Sequence, residues 1–112
     1  MNSPNWQPIE ALPLIAGMLD GQLHDVRQPV ANLEKCRNRP GVLDDYSVSR
    51  LLEVFGEQRD FVPIYREQLA RWQQLPLDDE TRLEINRLNA VIDQWTVALD
   101  SVLYLAKTLP HS

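Results

Sequence analysis

The stretch EINRLNAVIDQWTVALDSVLYLAKTL, residues 84–109, decides the fold. Within it Ile85, Leu88, Ile92, Trp95, Leu99, Val102, Ala106 and Leu109 follow one another at alternating spacings of three and four. An α-helix turns once in about 3.6 residues, so this spacing stacks the apolar side chains along one face in a heptad-like seam. Glu84, Arg87, Asn89, Asp93, Gln94, Asp100 and Lys107 fall between them and form a wet opposite face. The start is marked by Asp78, an N-cap residue, with the acids Asp79 and Glu80 complementing the helix dipole in the first turn. Pro110 marks the end. A helix is therefore expected over residues 78–109.

Two further patterns lie upstream. Val48, Leu51, Phe55, Gln58, Val62, Tyr65, Leu69 and Trp72 keep the same spacing with one polar member, and predict a helix over residues 44–74. With Asp44 as N-cap, Leu43 and Val48 stand at the positions of a hydrophobic staple. Pro40-Gly41 supplies the turn before it. Leu12, Ile15, Leu19, Gln22 or Leu23, Val26, Val30 and Leu33 predict the first helix, over residues 9–37, with Pro13 tolerated in its first turn. Pro29 and Pro63 fall inside these two patterns and predict kinks rather than ends. No sustained period-two alternation and no Asn-Gly or Asp-Gly hairpin turn competes. The expected fold is all-α: a single domain over residues 1–112, an up-down-up antiparallel bundle of three long helices.

Composition bounds the function. Of 112 residues, 44 % are apolar and 24 % charged, the balance of an ordinary globular domain. A net charge of −5 argues against a nucleic-acid binder, which needs a basic face. The densest basic cluster, Lys35, Arg37 and Arg39, sits where the first helix should end, and is read as complementing its dipole. Residues 1–8 carry no Lys or Arg, and the apolar run from Ala11 to Leu19 is short and holds Pro13 and Gly17. No signal peptide or membrane span is read, and the expected location is the cytoplasm. The lone thiol, Cys36, fits a reducing compartment and leaves no disulfide within the chain.

Folding the first hairpin about residues 40 and 41 brings Gln22 near the level of Gln58, which in turn faces the region of Trp95 and Thr96. The expectation is a polar core layer of Gln22 and Gln58, because pairing two buried amides avoids the cost of burying either alone; the alternative is that one or both turn outward. The same folding sets Pro63 opposite Met18, between Gly17 and Gly21, where small residues would permit close helix approach.

One segment carries candidate chemistry. His24-Asp25-Val26-Arg27-Gln28-Pro29-Val30-Ala31-Asn32-Leu33 resembles the phosphoacceptor box of sensor histidine kinases: His, an acid, an apolar residue, Arg, a polar residue, Pro and an apolar residue on a long helix. The resemblance implies His24 as phosphoacceptor, Asp25 as the acid assisting proton transfer, and Gln28 at the variable polar position. Independently, with Val26 pointing inward, His24 lies about 200° round the helix and faces water, as a phosphoacceptor must. Asp20 stands four residues away and could pair with it. Against this, the chain has no glycine-rich ATP lid and no room for a nucleotide-binding domain. It also lacks the His, basic residue and Gly signature of stand-alone phosphotransfer domains. A second likeness is broader. Arg39-Pro40-Gly41-Val42-Leu43-Asp44-Asp45, Glu57-Gln58-Arg59-Asp60 and Glu67-Gln68-Leu69-Ala70-Arg71-Trp72 resemble small uncharacterised all-helical proteins of proteobacteria, which imply no function.

Other chemistries find no support. His111 falls in a tail expected to fray, which leaves too few His and Cys for a zinc set. No Glu-x-x-His repeat, phosphate-cradling loop or Gly-x-Ser-x-Gly elbow occurs. Glu53 and Glu57 are read as a solvated pair. No cofactor or metal is expected. The reading is a non-enzymatic module that binds a protein partner. The off-seam residues Leu14, Met18, Leu52, Leu83, Val91 and Leu103 widen the apolar faces, and are candidates for either the sides of the core or a homodimer face. The alternative is a histidine phosphotransfer or dimerisation module acting through His24.

Overall fold

A computed structural model describes residues 5–39 and 41–111. Three helices form: α1 over Leu12–Cys36, α2 over Asp45–Gln73 and α3 over Asp79–Thr108. A single 3-10 turn, Ile9–Ala11, leads into α1. No strand occurs among the described residues, and the protein is an all-α three-helix bundle.

Local chemistry explains the ends. Asp44 caps α2 by accepting from the Ser47 backbone N–H at 2.7 Å, and Asp78 caps α3 by accepting from that of Thr81 at 2.8 Å. Hydrogen bonds from Ser47 and from Thr81 hold the two carboxyls below the usual Asp range. Pro13 occupies the first turn of α1, where its missing N–H is not needed. Both α1 and α2 run unbroken through Pro29 and Pro63. Pro40 lies outside the described residues; beside it Gly41 takes φ 85°, a left-handed conformation open to glycine. Beyond α3, His111 Nδ1 meets Asp45 Oδ1 at the start of α2.

The helices do not pack equally. α3 lies against both α1 and α2, while the backbones of α1 and α2 hardly approach one another. Ile85, Leu88, Ile92, Trp95, Leu99 and Val102 are 0 to 1 % exposed, so α3 is the shared core wall. Leu19, Leu23, Val26 and Leu33 of α1 and Val62, Leu69 and Trp72 of α2 close on it from two sides. The Cα envelope measures 54 × 33 × 17 Å, a slab rather than a cylinder. Of the off-seam residues Val91 takes a place in this core, whereas Leu14, Met18 and Leu83 are exposed.

The separation of the α1 and α2 backbones overturns one packing expectation. A Cβ placed on Gly17 or on Gly21 would meet nothing within 4 Å, so neither glycine serves close helix approach. Each only weakens the helix it sits in, because glycine loses more backbone freedom on folding than alanine. Gly17→Ala and Gly21→Ala are each expected to stabilise the protein by about 0.5–1 kcal/mol, read as a raised urea midpoint with an unchanged slope.

Candidate functional site

The backbones of α1 and α2 stay apart along their shared seam. On α2 the residues that meet it are Ser47, Leu51 and Val54 at its start, Tyr65 against Met18, and Gln68 and Trp72 against Gln7. Leu51, Gln58, Tyr65 and Trp72 also belong to the seam that meets α3. Ser47, Val54, Phe61 and Gln68 form an extra column one position before it, which widens the face beyond one seam.

Three devices meet this face along its length. At the C-terminal end of α2 the chain's own N-terminal segment covers it. The Gln7 backbone N–H donates to Gln68 Oε1 at 2.7 Å, and Gln68 Nε2 donates back to the Gln7 carbonyl at 3.4 Å. Trp72 Nε1 donates to the same carbonyl at 2.9 Å. The Arg71 guanidinium stacks 4.3 Å above the Trp6 ring. Midway, the Tyr65 hydroxyl reaches Met18 Sδ at 3.6 Å, and burial pushes the Tyr65 phenol above its ordinary range. At the α1–α2 loop none of the described residues fills the gap. An open groove of about 410 Å³ remains there, lined on α1 by Pro29, Leu33 and Cys36 and on α2 chiefly by Leu51, Val54 and Phe55. Arg50 is the one charged residue among its lining.

The residues singled out from sequence fall partly elsewhere. Gln22 and Gln58 do not form a joint layer. Gln58 Oε1 accepts a long hydrogen bond from Trp95 Nε1 at 3.4 Å, whereas Gln22 is half-buried and makes no hydrogen bond among the described residues. The backbones of α1 and α2 hardly approach one another, and Gln58 turns to Trp95 of α3 instead. The buried polar side chain is instead Gln68, 5 % exposed. Its signal in sequence was a Gln beside the apolar seam, indistinguishable from a surface residue without knowing that Gln7 would fold over it.

His24 and Asp25 are exposed on α1, and His24 makes no hydrogen bond among the described residues. Asp20 does not pair with His24. It takes the Arg87 guanidinium in a two-point bond, at 2.9 and 3.0 Å, and that bond lowers its pKa. Glu84 also bonds Arg87, at 2.7 Å, and the two acids raise the pKa of the guanidinium. Gln28 donates to Asn32 Oδ1 at 2.9 Å, a bond along its own helix. At 100° per residue His24 lies about 140° round α1 from Pro29, so it does not face the groove. Glu53 pairs with Arg50 at 3.2 Å rather than with Glu57 around a cation. No group of three or more metal-ligating side chains gathers among the described residues. No described helix is long and apolar enough to cross a membrane.

The chain matches no protein-family model, no curated protein and no solved structure.

Proposed function

We propose that this chain is a non-enzymatic protein–protein interaction module that receives its partner in the groove between α1 and α2. The observation that supports this reading is the open apolar groove itself. Leu33, Leu51, Val54 and Phe55 converge on it, and the backbones of α1 and α2 stay apart instead of closing over it. Contiguous apolar concavities of this kind mark binding surfaces more often than inert ones.

The test compares three tagged chains in affinity capture from a native extract. Val54 lines the groove and is only half-buried, so Val54→Glu is expected to fold normally while placing a charge in the gap. Val97 is 67 % exposed on the far side of α3 and serves as control through Val97→Glu. A partner kept by the parent and by Val97→Glu, and lost with Val54→Glu, supports the reading. A capture profile identical in all three chains overturns it.

The second reading, phosphotransfer through His24, is favoured by one observation: the imidazole is solvent-facing and unengaged beside an exposed acid. It requires acid-labile phosphate on the chain after incubation with a phosphodonor kinase, lost on His24→Ala. The module reading expects no such label, and unchanged capture by His24→Ala.

A further inference from the structure

We infer that the C-terminal end of α2 is a receptor site for a peptide segment, and that two copies of this chain pair by exchanging their residues 5–8 into one another's sites.

The site reads backbone. Gln68 and Trp72 are buried, yet each turns a polar group toward the chain lying over it. Gln68 Oε1 accepts from the Gln7 N–H, while Gln68 Nε2 and Trp72 Nε1 both donate to the Gln7 carbonyl. These three side-chain atoms make no other hydrogen bond among the described residues. The Gln7 side chain takes no part in this, because its Nε2 donates to the Asn5 carbonyl at 3.0 Å. One side chain is read beside the backbone: the Trp6 ring lies under the Arg71 guanidinium, which Glu67 holds at 3.3 Å. Pro8 follows at φ −69° and ψ 161°, an extended residue with no N–H to satisfy. The ligand class is therefore a non-helical segment with an aromatic residue, then a residue bonded through its backbone, then a proline. Contacts of this kind take affinity from main-chain hydrogen bonds and selectivity from a side-chain contact, whichever chain supplies them.

The occupant is separable. Residues 5–8 belong to no helix, and the first side chain packed on the core is that of Ile9, in the turn closed by the Ala11 N–H on the Pro8 carbonyl at 2.9 Å. The segment whose fit is seen is this chain's own, so a second copy brings an occupant already matched to the site. Segment and site lie at one end of the bundle, beside the starts of α1 and α3. Three exposed leucines gather at that end: Leu14 in the first turn of α1, Leu75 just after α2 and Leu83 near the start of α3. Two copies set end to end about a two-fold axis cover these leucines and swap both segments at once, which closes the assembly. In cis the segment competes at an effective concentration on the order of millimolar, so the parent chain exchanges only when concentrated. The open groove lies at the opposite end, by the α1–α2 loop, and this pairing leaves it free.

Two full-length variants test the exchange. The donor, Gln68→Met with Trp72→Phe, keeps apolar bulk in the site and loses its three polar atoms. The acceptor, Trp6→Ala with Gln7→Pro, keeps the site and loses the stacked ring and the N–H that the site reads. Neither holds a complete pair. Light scattering is therefore expected to give the mass of one chain for each alone and of two chains for the mixture. If circular dichroism shows the donor unfolded, the parent chain takes its place at higher concentration. In a second arm a labelled peptide of residues 5–11 is titrated into the acceptor. N-methylation at Gln7 removes the N–H that Gln68 accepts, and is expected to weaken binding about 10-fold or more. Peptide binding without a mixed dimer overturns the second copy as the source, in favour of a segment from another protein. Equal binding of the two peptides overturns the backbone reading. A donor that associates alone as strongly as in the mixture overturns the exchange, because that contact bypasses the site. Absence of both the mixed dimer and peptide binding overturns the receptor site itself.

Discussion

Trp95→Ala is expected to remove about 3–5 kcal/mol of folding free energy, a large part of the 5–15 kcal/mol that holds a domain of this size together. Trp95 is 1 % exposed in the middle of α3. Its ring lies 5.9 Å from that of Tyr65, tilted at 57°, and its Nε1 donates to Gln58. Truncation removes the indole from the one helix that both others pack on. The cavity opens at the α2–α3 contact, and neighbouring side chains cannot collapse into it without pulling α2 off the wall. Val97→Ala, two residues further along the same helix at 67 % exposed, should stay within about 0.5 kcal/mol. Urea unfolding followed by circular dichroism separates the two. A Trp95→Ala loss as small as that of Val97→Ala would refute the placing of α3 at the centre.

Gln68→Ala is the second large effect, at about 1–3 kcal/mol. The amide of Gln68 gives the Gln7 peptide both a donor and an acceptor in a nearly closed environment. Without it the Gln7 N–H loses its acceptor, and only Trp72 still donates to the Gln7 carbonyl. The N-terminal segment should then lift away, with limited proteolysis before Ile9 as the readout and only a small change in helix content. Gln68→Glu sharpens the test. A carboxylate can accept from Gln7 but cannot donate to its carbonyl, and burial raises the pKa of the new acid. Protonation restores a donor. The folded-state pKa lies above the unfolded one, so the variant is least stable relative to the parent above that raised pKa and regains stability as pH falls through it. A deficit that does not shrink on acidification would show that Gln68 acts through packing alone.

Much of the architecture was legible in the chain. The three-four spacing from Ile85 to Leu109 marks α3, and the capping aspartates Asp44 and Asp78 stand at the starts of α2 and α3. These are local effects: helical periodicity, a side-chain oxygen reaching a backbone N–H three residues on, a proline whose N–H is not needed. The site was less legible. Cys36 and Arg50 entered the sequence reading only as a thiol without a motif and an unremarked basic residue, yet they share one groove. Gln58 drew notice as a polar interruption, while Gln68, the side chain that is buried, lay one position off the seam.

By itself the sequence determined three amphipathic helices, their ends and their antiparallel order, because each of those follows from interactions within a few residues. Only the tertiary structure decided which helix stands in the middle and which pair stays open. The apolar faces of α1 and α2 are both wide enough to meet a neighbour. That choice rests on packing between segments far apart in the chain, with α3 burying its seam against both and Gln7 crossing to Gln68 and Trp72. No local pattern carries that information, since the same spacing of apolar residues serves a seam that closes and a seam that stays open.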